Sequence, residues 1–341
     1  MRTLEQILRG AISLNASDVL FSSGTPVAYR VNGKYGFVEK EPLTPEDSEM
    51  YVREIIGETL FARLRADKEV DTSIRLFGYN FRVGAFTSMG HYAASLRILS
   101  NKIRNFEELD LPQELAELCN YSSGLVLITG TTGSGKSTTM AAMIDYINST
   151  RNGHIITIED PIEYVYSQKK CIIHQKEVGR DTLSFSNSLR TILREDPDII
   201  AVGEMRDPET ISSAITCAET GHLVISTLHT SNVAGTVSRI VDAFDSSMQA
   251  QIRTQLSMTL RGIISQRLIP SATGMGRVVA YEYAPFTPSL RALIRTNKQH
   301  LITGQIQIGA GEGMISLQRC IERLVREGKI TQETAEMYAK Q

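Results

Sequence analysis

Leu125-Val126-Leu127-Ile128-Thr129-Gly130-Thr131-Thr132-Gly133-Ser134-Gly135-Lys136-Ser137-Thr138 is the stretch on which the fold turns. An apolar run leads directly into the pattern GxxxxGK[ST], and a helical stretch begins near Lys136, so the motif has the strand before it and the helix after it that a phosphate loop requires. Its glycines let backbone N–H groups wrap phosphates, and the helix N-terminus adds positive potential. Lys136 then pairs with the outer phosphates, and the Ser137 hydroxyl is placed to ligate Mg²⁺. Thr131, Thr132, Gly133, Ser134, Gly135, Lys136, Ser137 and Thr138 are the expected nucleotide contacts, with ATP and Mg²⁺ as the implied cofactors.

Further apolar runs at Ile155 to Ile158, Ile199 to Val202 and Leu223 to Thr227 alternate with helical stretches, which implies a mainly parallel sheet covered by helices on both faces. In such sheets ligands gather at the carboxyl ends of the strands. Asp198-Ile199-Ile200-Ala201-Val202-Gly203-Glu204 ends there in an acid, making Glu204 the candidate general base and Mg²⁺ ligand. Ile156-Thr157-Ile158-Glu159-Asp160-Pro161-Ile162-Glu163 brings three more acids to the same edge, and Glu163 is the alternative base and second metal candidate. His222 and His229 flank the strand Leu223 to Thr227. His229 is placed to sense a terminal phosphate; zinc is disfavoured by the separation of the two histidines and the lack of nearby cysteines.

Before residue 105 the pattern differs. Leu4, Ile7, Leu8, Ala11 and Ile12 recur at helical spacing, Asp18 to Phe21 reads as a strand, and Asn32-Gly33 lies between alternating runs as a hairpin turn. Thr44-Pro45-Glu46-Asp47 starts a helix, two helical stretches precede Asp67, and a second hairpin turns at Gly78 before a strand from Tyr92 to Leu99. A small antiparallel α+β domain over residues 1–105 and a mainly parallel α/β domain over 106–341, helical from about 288 onward, follow from this. Arg82 and Arg97 lie on strands of the first.

The composition excludes several classes. The chain has 341 residues, 42% hydrophobic and 22% charged, with 36 Lys and Arg against 38 Asp and Glu. This near-balance supplies no general attraction to nucleic acid or anionic lipid. No apolar run approaches the roughly 20 residues that span a bilayer, and the stretch from Met1 to Leu14 lacks a signal-peptide core, so a cytoplasmic protein without membrane insertion is expected. Cys119, Cys171, Cys217 and Cys320 are far apart with no CxxC pair, which favours reduced thiols.

The phosphate loop, Thr157 to Glu163, Leu189 to Asp198 with Gly203 to Asp207, and Ala218 to His229 together resemble the secretion-type motor ATPases, and among them the type IV pilus retraction or twitching-motility branch. The resemblance implies a PAS-like N-terminal domain before a RecA-like motor domain. It also implies a homohexamer with ATP between domains, Arg82 and Arg97 contributed from neighbouring subunits, and Arg104 as a weaker third. As partners it implies the pilus machinery and an inner-membrane platform protein, which would hold the ring at the cytoplasmic face of the membrane. Ser289-Leu290-Arg291-Ala292-Leu293-Ile294-Arg295-Thr296 is similar to the branch's AIRNLIRE motif, departing at Ser289, Leu290, Ala292 and Thr296. Here the expected helix packs Leu290, Leu293 and Ile294 inward and offers Arg291 and Arg295 outward. The alternatives are a pilus-assembly or secretion motor, a RecA-like nucleic-acid motor, disfavoured by the balanced charge, and a non-hydrolysing ATP-binding scaffold, disfavoured by an intact Glu204.

Overall fold

Thr3 and Gln6 close a capping box at the start of α1 (Leu4–Ser13), whose Leu4, Ile7, Leu8 and Ala11 are buried. β1 (Asp18–Ser22), β2 (Ala28–Val31) and β3 (Lys34–Phe37) follow. Val31 pairs with Lys34, while Asn32 of the expected turn lies outside the described residues, which are 2–31, 33–38, 40–99, 102–274 and 276–339 of this computed structural model. Thr44 and Asp47 form a second capping box ahead of α2 (Pro45–Asp67), and Gly57, at φ 74° and ψ 167°, breaks it into the two expected helical stretches. β4 (Glu69–Leu76) and β5 (Tyr79–Ser88) turn through Phe77 and Gly78, both at positive φ, as a tight two-residue hairpin requires. β6 (His91–Ile98) completes an antiparallel sheet of order β3-β2-β1-β6-β5-β4. Its core joins α1, α2 and the sheet through Phe21, Tyr51, Phe61 and Phe81.

Then come α3 (Leu115–Cys119), β7 (Gly124–Thr129), α4 (Lys136–Thr150), β8 (Gly153–Glu159), β9 (Cys171–Glu177), α5 (Phe185–Ile192), β10 (Ile199–Val202), α6 (Pro208–Glu219) and β11 (Leu223–Leu228). After these the chain forms α7 (Val233–Asp242), α8 (Ser246–Thr259), β12 (Leu260–Pro270), β13 (Arg277–Pro285), α9 (Pro288–Arg295), α10 (Ile302–Ile308), α11 (Leu317–Arg326) and α12 (Gln332–Ala339). The second sheet runs β13-β12-β7-β11-β10-β8-β9, parallel throughout except for the β12–β13 hairpin. β7, β10 and β11 are buried at every position, as strands covered on both faces must be. Leu125 and Leu127 of β7 join the core that α5 to α10 build on one face.

By contacts the chain falls into two units, Met1–Lys102 with Asp160–Tyr166, and Ile103–Glu159 with Ser167–Gln341. The excursion Asp160–Tyr166 differs from the sequence reading, which kept those acids with the second domain. It belongs to the first because Ser73 Oγ donates to the Ile162 carbonyl at 2.5 Å and Ile162 and Tyr166 are buried. The α/β class holds, an antiparallel α+β unit preceding a mainly parallel one, which is the PAS-like and RecA-like order that the resemblance implied. The four cysteines are buried free thiols, and burial pushes Cys217 up to about 11, far from reactive.

Candidate functional site

Parallel register lines up three strand ends. Thr129 of β7 stands beside Leu228 of β11, and Ser226 of β11 beside Val202 of β10, so the loops that follow emerge along one edge with the β11 loop in the middle. The phosphate loop leaves β7, His229 follows β11, and Glu204 follows β10. Sequence spacing placed these three on one edge, and the strand order makes them neighbours.

The loop is built from backbone geometry that only glycine supplies. Gly130 has φ 147°, and a β-carbon there would stand 2.2 Å from the Gln266 carbonyl oxygen and 2.4 Å from Ser134 Oγ. Gly135, in the left-handed region, forms the N-cap of α4, leaving the first N–H groups of that helix without a side-chain cap and available to an anion. Lys136 Nζ donates to the Gly130 and Thr131 carbonyls at 2.9 and 3.0 Å, folding the ammonium back over the loop. Gln266 of β12 locks the assembly, its Nε2 donating to the Ser134 carbonyl at 2.8 Å while its Oε1 accepts from Thr139 Oγ1 at 2.9 Å. Ser134 Oγ is buried without a hydrogen-bond partner among the described residues.

Glu204 is held at one oxygen. Arg206 Nη2 lies 2.5 Å from Oε1, and His229 Nε2 lies 3.2 Å from Oε2 without the angle for a hydrogen bond, so Oε2 is a buried oxygen with no hydrogen-bond partner among the described residues. The backbone around it is fixed by Gly203 N to Ile158 O at 2.8 Å, Met205 N to Thr227 O at 3.1 Å, and Thr227 Oγ1 to Gly203 O at 2.6 Å. A carboxylate pinned on one side with its other oxygen unsatisfied can accept a proton from water or hold a cation. His222 serves the framework instead, its Nδ1 lying 3.0 Å from the Cys217 carbonyl.

The remaining sequence candidates fall elsewhere. Glu159 is buried and accepts from Thr157 Oγ1 at 2.7 Å and Gln175 Nε2 at 3.1 Å. Asp160 and Glu163 belong to the first unit, where with Asp71 they surround Arg82. Arg82 donates to Asp71 through Nη2 at 2.6 Å and Nε at 3.3 Å, and this bond, with the nearby carboxylates, holds its pKa above the ordinary value. Arg97 Nε donates to the buried Asp18 Oδ1 at 3.0 Å. Arg104 lies in the second unit and lines a cavity with Leu111, Thr138, Leu268 and Arg277 beside the phosphate loop. Gln266, Arg206, Arg277 and Tyr338 carried no assigned role in the sequence reading. Gln266 sits in a strand with no motif, and only the fold brings it 132 positions back to Ser134.

A phosphate loop on a central parallel strand, with a histidine from the adjacent strand end and an acid from the next, defines a nucleotide-binding protein of the RecA-like class. The chain belongs to the type II/IV secretion system protein family, whose model matches residues 1–336. It is 44% identical over 338 residues to a type IV pilus retraction ATPase, PilT, of Pseudomonas aeruginosa, covering 99% of this chain and 98% of that one. A twitching motility protein of Neisseria gonorrhoeae is 42% identical over 330 residues, 96% of this chain and 88% of its own. A crystal structure of the pilus retraction motor PilT with bound ADP aligns with a TM-score of 0.92 at 46% identity, covering 99% of this chain and 97% of that chain.

Proposed function

We propose that this chain is a mechanochemical ATPase that drives type IV pilus retraction for twitching motility. The observation that carries the reading is the alignment of the phosphate loop, Glu204 and His229 on one sheet edge, in a chain that matches a retraction ATPase from end to end. In this reading Thr131 to Thr138 hold the nucleotide phosphates and Lys136 turns from the Gly130 and Thr131 carbonyls to the outer phosphates. Arg206 orients Glu204 so that Oε2 faces the attacking water, and His229, against that oxygen, registers whether the terminal phosphate is present. Mg²⁺ suits this site, because Glu204 Oε2 is a buried oxygen with no hydrogen-bond partner among the described residues, on the sheet edge from which the phosphate loop also emerges; Ser137 and Glu204 would hold it, and it would neutralise developing phosphate charge.

The working assembly in this proposal is a homohexameric ring at the cytoplasmic face of the inner membrane, acting on pilus machinery through a platform protein, with Arg82 and Arg97 completing a neighbour's site. The charge balance supports a protein partner over nucleic acid, and no helix among the described residues is long and apolar enough to cross a membrane.

Glu204→Gln tests the chemistry. ATP binding should persist while turnover falls by roughly 10² to 10⁴ fold, the scale of a lost general base, whereas Lys136→Ala should weaken binding itself. Wild-type turnover in the glutamine variant would remove Glu204 as base and bring Glu163 forward. In cells, deletion should give excess pili without surface motility; absent pili would identify an assembly motor instead.

A further inference from the structure

The β12–β13 hairpin, which closes with Pro270 opposite Arg277, contributes more to the phosphate loop than the locking bonds of Gln266. The cavity over Gly130 to Ser134 is walled on its far side by Arg267, Arg277 and Tyr338. Arg277 also lines the neighbouring cavity beside Thr138, so it stands between the two. Among the cations here, Lys136 serves the loop carbonyls and Arg206 serves Glu204. Arg267 shares its field with Glu282. The Arg277 side chain is exposed and has no hydrogen bond or ion pair among the described residues.

Tyr338 comes from α12, two hundred residues beyond the loop. The approach to that helix is pinned to the same structure: the Ala272 N–H donates to the Lys329 carbonyl at 2.8 Å, and Lys329 Nζ lies 2.5 Å from Asp110, which lines the neighbouring cavity. Ile330 and Ala335 are buried. One segment, 329–338, therefore touches the hairpin turn, lines the cavity over the loop through Tyr338, and holds Asp110 of the neighbouring cavity through Lys329.

We propose that Arg277 and Tyr338 complete the phosphate site from within the same subunit. Arg277 acts as a second cation on the outer phosphates of a nucleoside triphosphate, and Tyr338 acts as a phenolic donor that draws α12 onto the filled site. The inference rests on the reading of Gly130 to Ser137 as a nucleotide site. A guanidinium fork matches two phosphate oxygens in a way a lone ammonium does not, and a triphosphate carries more charge than Lys136 alone offsets. Helices open locally at less than the cost of global unfolding, so a contact from the last turn of α12 to the ligand makes the order of that helix depend on occupancy. Affinity for the triphosphate thereby becomes a property of each subunit as well as of the ring.

The test is calorimetric titration of ATPγS and of ADP, each with Mg²⁺, into the full-length chain and its Arg277→Ala, Arg277→Lys, Tyr338→Phe and Lys136→Ala variants, with amide hydrogen exchange followed over residues 329–339. Arg277→Ala should weaken ATPγS by about 10 to 100 fold, the scale of a hydrogen bond between charged groups, and ADP by less. Arg277→Lys should recover part of the loss, and Tyr338→Phe should cost about tenfold. ATPγS should slow exchange in α12 of the wild type and leave it unchanged in Lys136→Ala. Wild-type affinity in Arg277→Ala and Tyr338→Phe, or α12 exchange that is insensitive to saturating ATPγS, overturns the proposal. Should the alanine variant melt early, Arg277→Lys and Tyr338→Phe decide between the two outcomes by the same affinities. If Lys136→Ala binds as the wild type does, the nucleotide reading itself fails; if it alone loses binding, only the roles of Arg277 and Tyr338 fail.

Discussion

Glu282 shows how one buried carboxylate ties the second sheet to the helix behind the site. It lies on β13, is 8% exposed, and its Oε2 accepts the Val233 N–H at 2.7 Å, the first donor of α7. Burial pushes its carboxyl above the ordinary glutamate range, against the Val233 N–H and the Arg267 charge, which pull it down. The folded chain therefore holds this proton more tightly than the unfolded chain does. The resulting contribution is complete below the unfolded pKa, is lost as pH rises through the raised folded pKa, and is flat beyond. Glu282→Gln keeps an acceptor for Val233 and never ionises, so its stability relative to wild type should improve from a pH below the ordinary glutamate range to a pH above the raised one, read from urea midpoints at each pH. A difference independent of pH would mean that the carboxyl is not perturbed. Glu282→Ala, by contrast, strands a buried N–H and should cost about 1 to 3 kcal/mol at either pH.

At the scale of elements, α9 departs most from its sequence reading. Leu290 and Ile294 are fully buried and Leu293 partly so, as the spacing required. Arg291, however, is not offered outward. Its Nε donates to the Phe286 carbonyl at 2.9 Å and its Nη1 to Ser257 and Met258 at 3.1 and 2.8 Å, which caps the last turn of α8. Helical spacing shows which face a side chain leaves from; it does not show that another helix ends within reach. Arg295 is exposed and has no partner among the described residues. The two arginines should therefore separate. Arg291→Ala should lose about 1 to 2 kcal/mol through unsatisfied carbonyls, lowering the thermal midpoint. Arg295→Ala should stay within about 0.5 kcal/mol of wild type, keep its ATP turnover, and abolish surface motility while leaving excess pili. Normal twitching in Arg295→Ala at normal protein level would take α9 out of force coupling.

The same limit explains what else was and was not legible. β7, β10 and β11 were plain because strands buried on both faces are written as mainly apolar runs, here ending in a glycine loop, an acid and a histidine. β9 was not, since Cys171 to Glu177 turns polar after three residues and pairs only with β8 at the sheet edge. β12 and β13 mix glycine, polar and charged residues with apolar ones, and with them went Gln266 and Arg277. The phosphate loop was readable because its chemistry lies in contiguous residues; its supports come from 130 to 200 residues away.

For the molecule as a whole, the question is whether arginines of the first unit serve a loop in the second. Both are engaged at home. The Arg82 pair with Asp71 has both side chains substantially exposed, so releasing it costs no more than about 1 kcal/mol. Arg97 is different, because its partner Asp18 is only 7% exposed and would be left to Ser17 Oγ at 2.8 Å and Arg30 at 3.9 Å. An arginine supplied to a phosphoryl-transfer site contributes roughly 10³ to 10⁵ fold, which outweighs either release, yet the balance favours Arg82. Subunit mixing decides it. In a closed ring built from heterologous contacts, equal mixing of Arg82→Ala and Lys136→Ala subunits leaves about one interface in four with both an intact loop and an intact arginine. ATP turnover should then reappear in the mixture although each variant alone is inactive, whereas Arg97→Ala alone should keep turnover if Arg82 is the arginine supplied. Turnover that stays at the sum of the two inactive parents, with subunit exchange shown by mixed-label rings, would place the arginine and the loop it serves in one subunit.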